Sequence, residues 1–371
     1  MWKNVRNILL TIFFFCLCGY TVIRGKETVL QQFAESIFLP GLFHTMNGEQ
    51  EGTWREEGMK RLFPLYQYVK ANSPIKTETE DLVTYEMILA EQANDESFIS
   101  EDLNSDDQST ANTQTSSVDM SIEKLRNFQY LLSTFYTVDS TTTIGPEQLN
   151  ADDLLSRNMK ISTKEDGPKI LIFHTHSQEA FADSTVGDVN TSIVGMGRYL
   201  AELLNEKGVQ TLHHDGVYDL INGKLDRSKA YQMSEAGVKK ILKKYPSIEV
   251  VIDMHRDGVP ETTRLVTNVN GESTAKIMFF NGLSRTKTNG DISYLKNPYI
   301  QDNLAFSLQM QLQTEKMYPG FARRIYLKGY RYSLHMMPKS LLIEAGAQNN
   351  TVEEMKNAME LLANILYKVL L

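Results

Sequence analysis

Four side chains in the C-terminal part of the sequence are of types that bind a metal ion and transfer protons. His176 and Glu179 stand three residues apart in an H-x-x-E string, His255 follows later, and Glu344 lies near the C-terminus. Two imidazoles and one carboxylate are a known ligand set of catalytic zinc, which keeps a fourth position open for water. A carboxylate outside the ligand set then moves the proton. These residues predict zinc-dependent hydrolysis, with His176, Glu179 and His255 as ligands and Glu344 as the catalytic carboxylate.

The same residues also have plainer interpretations. An H-x-x-E pair alone occurs by chance in many proteins, and Glu344 could serve only as a structural cap. His174 stands two residues before His176 and is the second choice for its ligand position. Asp253 lies within a predicted strand and could simply be hydrogen-bonded in the core. Three further residues are predicted to orient the ligands or to contact substrate: Arg256, Asp257 and Arg331.

The candidate residues follow short apolar runs that are typical of buried strands. The runs are KILIF (169–173), IEVVIDM (248–254) and LLI (341–343). Amphipathic helical patterns separate them, so the sequence predicts an α/β fold with a mostly parallel sheet flanked by helices. Functional groups in such sheets gather beyond the carboxyl ends of the strands. We therefore expect the candidate residues to meet at one edge of the sheet.

Several element boundaries can also be predicted. The patterns predict one helix over 121–136, a strand over 274–280 and a helix over 303–318. Gly208 is placed to end a helix that begins near Ile193. Thr351 and Glu354 have the spacing of a capping box that opens the last helix.

The N-terminal part differs in character from the rest. Ile8 to Ile23 is apolar and uncharged, with cations on both sides and no small-x-small cleavage pattern. Residues 1–26 are therefore predicted to be a transmembrane signal-anchor that leaves the bulk of the chain outside the cytoplasm. Residues 27–120 form a membrane-proximal region that ends in an acidic, Ser- and Asn-rich linker. Residues 121–371 are predicted to be the catalytic domain.

Composition excludes some alternatives. The formal net charge of −8 argues against a nucleic-acid partner, which calls for clustered Lys and Arg. Cys16 and Cys18, the two cysteines of the chain, both lie in the apolar N-terminal run. A metal site in the remaining chain must therefore use His and carboxylates.

Four strings of this sequence resemble the stage II sporulation protein P family. They are FYTVDSTT (135–142), PKILIFHTHSQEAF (168–181), VVIDMHRDG (250–258) and SLLIEAGAQNNTVEEM (340–355). The family resemblance implies an amidase-like, phosphorylase/hydrolase-like fold and a zinc-dependent N-acetylmuramoyl-L-alanine amidase of sporulation and engulfment. It also implies endopeptidase activity on peptide cross-links of peptidoglycan, and a partner lytic transglycosylase, the stage II sporulation protein D.

The resemblance also bears on the site residues. It implies that His176 and His255 are zinc ligands and that Glu344 is the catalytic glutamate. In the wider amidase group the third ligand lies near a helix start, but the corresponding residues 190–192 (NTS) offer no carboxylate, so Glu179 is the substitute. Ser333 stands where the family pattern would have Asn.

Two other classes of function remain open at this stage. A zinc carboxypeptidase-like metallopeptidase also uses H-x-x-E, a later His and a distant Glu, and Arg331 or Arg256 could then bind a terminal carboxylate. A wall-binding scaffold without activity would instead bind no zinc.

Overall fold

The structure is a computed structural model, and it describes residues 118–162 and 166–371. The helices of this part are α1 (Ile122–Leu125), α2 (Phe128–Phe135), α3 (Ala151–Ser156), α4 (Ile193–Glu206), α5 (Ala230–Lys244), α6 (Ile300–Met317) and α7 (Val352–Leu370). The strands are β1 (Tyr136–Val138), β2 (Ile170–Phe173), β3 (Thr211–His213), β4 (Leu220–Ile221), β5 (Lys224–Leu225), β6 (Val250–Asp257), β7 (Val266–Val269), β8 (Glu272–Ala275), β9 (Ile277–Gly282), β10 (Arg285–Thr286), β11 (Gly290–Asp291), β12 (Ile325–Lys328) and β13 (Lys339–Ala347).

Seven of these strands form one sheet in the order β1-β12-β9-β13-β6-β2-β3. Neighbouring strands are parallel except β9 and β13, which are antiparallel. The sheet therefore consists of two parallel blocks that run in opposite directions and meet at β9 and β13. The prediction of a mostly parallel sheet flanked by helices is confirmed, with this one reversal that the sequence pattern did not indicate.

The two faces of the sheet are covered by different elements. Ile170 and Ile172 of β2, with Ile252 of β6, belong to the large core that also includes residues of α4, α6 and α7. The alternate residues Leu171 and Val251 pack with α5 in a second cluster. Because side chains of a strand point alternately to opposite faces, the face toward α5 also carries the odd-numbered residues of β6.

Two predicted elements are interrupted in the structure. The helix predicted over 121–136 is broken into α1 and α2, because the side chain of Asn127 accepts a hydrogen bond from Tyr130 N at 3.0 Å and starts a new helix. The strand predicted over 274–280 is likewise divided into β8 and β9, and β8 pairs with β7 in a separate two-stranded sheet.

Two strands extend further than the sequence predicted. β6 continues to Asp257 and β13 continues to Ala347, so His255 and Glu344 lie inside strands. The prediction that both side chains follow their strands was therefore wrong. The strands extend beyond the apolar runs because the polar residues that follow also pair between strands. Glu344 stands opposite His255 in the parallel register of β13 and β6.

The ends of two helices agree with the sequence signals. Gly208 follows α4 with a φ of +81°, a conformation that glycine adopts at little cost. The predicted capping box of α7 is confirmed: Thr351 Oγ1 accepts from Glu354 N at 3.2 Å, and Glu354 Oε2 accepts from Thr351 N at 3.0 Å.

The predicted signal-anchor, with its apolar run at 8–23, and residues 27–117 of the predicted membrane-proximal region lie outside the described residues. Among the residues that are described, no helix combines the length and the apolar character needed to cross a lipid bilayer.

Removing the cap of α7 should destabilise the domain measurably. Thr351→Ala should lower the free energy of unfolding by about 1 kcal/mol, since an orphan helix N–H loses its acceptor. Thr351→Ser keeps the hydroxyl and should retain most of the stability. Urea unfolding followed by circular dichroism measures both, and equal stability of the Ala variant and the unchanged protein would contradict this role.

Candidate metal centre

The residues with catalytic chemistry gather on the sheet face that packs against α5. Asp253, His255 and Asp257 occupy alternate positions of β6, on the same face as Val251. Glu344 lies two residues after Leu342 in β13, so both side chains are on the same face of the sheet. Leu342 packs with Tyr231 of α5. Because Glu344 and His255 are directly paired in register, their side chains are neighbours on this face.

A loop after β2 brings the remaining two candidate ligands to the same place. His176 Nδ1 lies 3.5 Å from Glu179 Oε1, and His255 Nδ1 lies 3.8 Å from the same oxygen. All three side chains are buried. Their candidate ligand atoms lie within 4.8 Å of one another. The predicted His176, Glu179 and His255 set is therefore brought together in space.

The carboxylate of Glu179 is fixed on both sides. Its Oε2 accepts a hydrogen bond from the backbone N of Arg256 at 2.8 Å, and its Oε1 faces the two imidazoles. Burial acts to raise the pKa of Glu179, but the hydrogen bonds and charges of His176 and His255 outweigh it and hold that pKa well below its usual value. Glu179 is therefore ionised at neutral pH and can act as an anionic metal ligand.

Asp253 orients His255 from beneath. Asp253 Oδ1 accepts from His255 Nε2 at 2.9 Å and from Thr175 N at 2.9 Å. Asp253 Oδ2 accepts from the hydroxyls of Thr175 at 2.7 Å and of Ser333 at 2.8 Å. Burial acts to raise the pKa of Asp253, but the charge of His255 and these hydrogen bonds keep it lowered. With Nε2 engaged, His255 presents Nδ1 to the cluster.

The surroundings of His255 favour its protonated, positively charged form. Burial disfavours its protonation, but Asp253 and Glu179 together raise the pKa of His255 well above its usual value. The pKa of His176 is lowered, first by burial and also by the charge of His255. The surroundings thus stabilise a cation between Glu179 and Asp253.

Glu344 is a carboxyl group of a different kind. It is half-buried, and its Oε2 is shielded from solvent without a hydrogen-bond partner among the described residues. Burial raises the pKa of Glu344 to about 8, against the opposing charge of His255 and with the charges of Asp257 and Glu179. A carboxyl group whose pKa lies near neutrality is suited to accept and return a proton.

The residues predicted to orient ligands or contact substrate differ in position. Arg256 supplies the backbone N–H to Glu179, and its guanidinium donates to the carbonyl of Asp257 at 3.1 Å. Asp257 is buried, and its Oδ2 pairs with Arg323, while burial raises its pKa. The guanidinium of Arg331 lies 3.3 Å from Glu235 Oε2.

His174, the second choice for a ligand, lies outside the cluster. It lies two residues after Ile172 and shares its face of the sheet, where it contacts Gly197 of α4. This is the opposite face from His255. Its Nδ1 donates to the carbonyl of Met254 at 2.8 Å, so its Nε2 accepts from His213 Nε2 at 3.1 Å. Burial lowers the pKa of His174 to about 4, which leaves the ring neutral.

The cluster fits a divalent ion such as zinc. In a tetrahedral zinc site with bonds of about 2.0–2.2 Å, ligand atoms stand roughly 3.3–3.6 Å apart. The separations of 3.5 and 3.8 Å in the cluster are close to that range. The donor set of two imidazoles and one carboxylate is one that catalytic zinc uses.

Sequence reasoning assigned no role at the site to several residues around the cluster. Thr175 and Ser333 support Asp253, Tyr231 packs its ring against His176 and His255, and the guanidinium of Arg227 lies 3.6 Å from Glu179 Oε1. A fifth, Asp219, is hydrogen-bonded to the loop between His176 and Glu179. Apart from Thr175, which lies next to His176, these residues come from other parts of the chain, and the residues around them form no motif that would assign them a role.

Fold and site together define a mixed α/β protein with a buried His–Glu–His cluster fit for one divalent ion. Within that class the chain belongs to the Stage II sporulation protein P (SpoIIP) family, which it matches over residues 55–367. The family resemblance drawn from the sequence strings is thereby confirmed.

Comparison with individual proteins gives more distant similarities. The chain is 22% identical over 234 residues to "Stage II sporulation protein P" of Bacillus subtilis (strain 168), covering 59% of this chain and 55% of that relative. The chain thus spans about half the length of that curated relative.

Solved structures of amidases are also similar to parts of the chain. The CwlD amidase of Clostridioides difficile in complex with the GerS lipoprotein is 17% identical, with 54% of this chain and 94% of that one covered and a TM-score of 0.34. The N-acetylmuramoyl-L-alanine amidase AmiC2 of Nostoc punctiforme is 13% identical, with 55% and 98% covered and a TM-score of 0.33. Scores this low do not establish a shared fold.

The carboxylate behind His255 should govern metal affinity. Asp253→Asn should weaken binding of a divalent ion by about 10- to 100-fold, because the imidazole loses the acceptor that fixes its orientation. Competition with a chromogenic chelator measures the dissociation constant. Asp291→Asn, at a carboxylate whose side chain is 81% exposed, is the charge-matched control. Equal affinity in the Asp253 and Asp291 variants would refute this role.

Proposed function

We propose that the chain is a zinc-dependent peptidoglycan hydrolase that cleaves the amide bond between N-acetylmuramic acid and L-alanine of the stem peptide. The observation that carries the proposal is the cluster of His176, Glu179 and His255 beside Glu344, a carboxyl group with a shielded oxygen that lacks a partner among the described residues. Membership of the SpoIIP family supports a role in sporulation and a substrate in the cell wall.

His176, Glu179 and His255 would hold the zinc ion, since Glu179 Oε1 lies 3.5 Å from His176 Nδ1 and 3.8 Å from His255 Nδ1. Bound zinc supplies an activated water and polarises the scissile carbonyl. Asp253 keeps His255 in the tautomer with its proton on Nε2. The backbone N–H of Arg256 prevents Glu179 from turning away from the cluster.

Glu344 moves the proton in this mechanism. Its Oε2 accepts a proton from the attacking water as the oxygen bonds to the carbonyl carbon. The same carboxyl group returns that proton to the amide nitrogen when the carbon–nitrogen bond breaks. The products are the carboxylate of muramic acid and the free amino group of L-alanine. Shielding from solvent and the lack of a hydrogen-bond partner among the described residues leave Oε2 of Glu344 available for both steps.

Arg256, Asp257 and Arg331 would complete the surroundings of the substrate. Asp257 pairs with Arg323 beside Glu344, and the guanidinium of Arg331 lies 3.3 Å from Glu235 Oε2. We propose that cleavage of peptide cross-links is a second activity of the same centre. The proposed partners are peptidoglycan and a lytic transglycosylase of the stage II sporulation protein D type. We propose no nucleic-acid partner.

We also propose a location in the cell membrane with a single span. The uncharged apolar run at 8–23, with cations on both sides, supports an N-terminal anchor that leaves the catalytic part extracytoplasmic. That location would place the enzyme beside its substrate.

Substitutions should separate metal binding from turnover. Glu344→Gln should keep one bound zinc per chain and lower kcat by about 10²- to 10⁴-fold, because no group remains to carry the proton. His255→Ala should lose both zinc and activity, since a ligand is removed. Zinc content by atomic spectroscopy and rates on purified peptidoglycan measure the two. Full activity of Glu344→Gln would remove its proposed role.

The bond that is cut distinguishes the proposed amidase from a carboxypeptidase-like enzyme. Digestion of muropeptides should release the intact stem peptide and expose a new amino group on L-alanine. Mass spectrometry of the products detects this, and a chelator should abolish it until zinc is returned. Loss of only a terminal residue would instead identify a carboxypeptidase, and a zinc-free, inactive chain would identify a wall-binding scaffold.

A further inference from the structure

A short segment between β3 and α5 contacts the loop that carries His176 and Glu179 at two places. The segment, residues 219–229, contains the β4–β5 hairpin and is closed by a hydrogen bond from Asp226 N to Asp219 O of 2.9 Å. We name it the brace segment. No sequence signal assigned it a role, and the mechanism above does not use it.

The first contact is made by a buried carboxylate. Asp219 is fully buried, and its Oδ1 accepts from Ser177 Oγ at 2.6 Å. Its Oδ2 accepts from Gln178 N at 3.0 Å. Ser177 and Gln178 are the two residues between His176 and Glu179, so Asp219 fixes the backbone that separates the two candidate ligands. A buried charge is costly unless it is paired or hydrogen-bonded, and here the loop supplies those bonds.

The second contact is made by a guanidinium. Arg227 lies 3.6 Å from Glu179 Oε1, the same oxygen that faces both imidazoles. The side chain is 19% exposed, so solvent screens this charge only in part. The backbone N–H of Ala230, the first residue of α5, donates a hydrogen bond of 3.1 Å to the carbonyl oxygen of Arg227. Arg227 therefore places a positive charge beside the ligand oxygen.

We propose that the brace segment positions and tunes Glu179 as a metal ligand, with Asp219 fixing the ligand loop and Arg227 weakening the affinity of the cluster for a divalent ion. The two residues act with opposite sign. Asp219 keeps the ligands in place and strengthens binding. The positive charge of Arg227 repels a metal ion at the cluster and draws electron density from Glu179. A bound ion is therefore held less tightly and is a stronger Lewis acid.

The inference rests on the metal centre of the proposed function, but it concerns affinity and not the bond that is cut. Its test is the zinc dissociation constant of the full chain, measured by competition with a chromogenic chelator. Asp219→Asn should weaken zinc binding by about tenfold or more, in the range known for residues that orient ligands. Arg227→Gln should tighten it by roughly tenfold, since a repulsive charge a few ångströms away is removed.

Matched variants separate charge from shape. Arg227→Lys keeps the positive charge and should bind zinc nearly as the unchanged chain does. Two exposed positions outside the brace segment, Asp215→Asn and Lys207→Gln, are the controls for loss of one charge of either sign, and neither should shift the affinity. If Asp219→Asn does not fold, Ser177→Ala removes one of the two hydrogen bonds from the other side and should weaken zinc binding in its place.

Each outcome decides the matter. An unchanged affinity in Asp219→Asn or in its substitute Ser177→Ala, or an unchanged or weakened one in Arg227→Gln, overturns the brace segment's role while leaving the hydrolase intact. Zinc binding in the expected order by a chain that cleaves no muropeptide supports the brace segment and overturns the hydrolase. A chain that binds no zinc at all overturns both.

Discussion

The carboxylate of Glu179, buried between two imidazoles, is the feature on which the rest of the site depends. An anion removed from water must be compensated by charges and hydrogen bonds, and here every side of it is occupied. The N–H of Arg256 holds one oxygen, while His176, His255 and Arg227 face the other. These partners come from β6, from the loop after β2 and from the segment before α5, so the carboxylate is compensated only when these distant parts of the chain have packed together.

The arrangement has a consequence for metal chemistry. A cluster that stabilises a proton on His255 is one in which a divalent ion can replace that proton, because both occupy a place of strong negative potential. Asp253 receives four hydrogen bonds and is therefore fixed before any ion arrives. A ligand that is held in advance loses little freedom on binding, which favours both affinity and a defined geometry.

The two carboxyl groups that face the centre are kept in different protonation states by their surroundings. Glu179 is hydrogen-bonded and ionised, whereas Glu344 lacks such partners on Oε2 and has a raised pKa. One fold thus supplies both a permanent anion and a proton carrier within a small volume. β13 pairs with β9 on one edge and with β6 on the other, and the parallel register with β6 places Glu344 beside His255.

The sequence alone determined the residue types of the centre, the buried strands and the start of α7. Continuous apolar runs such as 170–173 bury both faces of a strand, and the capping box needs only Thr351 and Glu354 at fixed spacing, so both signals are local. Tertiary structure alone decided the rest. His174 and His176 have the same parity, and only the end of β2 at Phe173 lets the loop carry His176 to the face of His255. Likewise, strand register sets Glu344 beside His255, and the fold brings Asp219 and Arg227 to the ligand loop, because contacts between distant segments depend on packing and leave no periodic pattern in the chain.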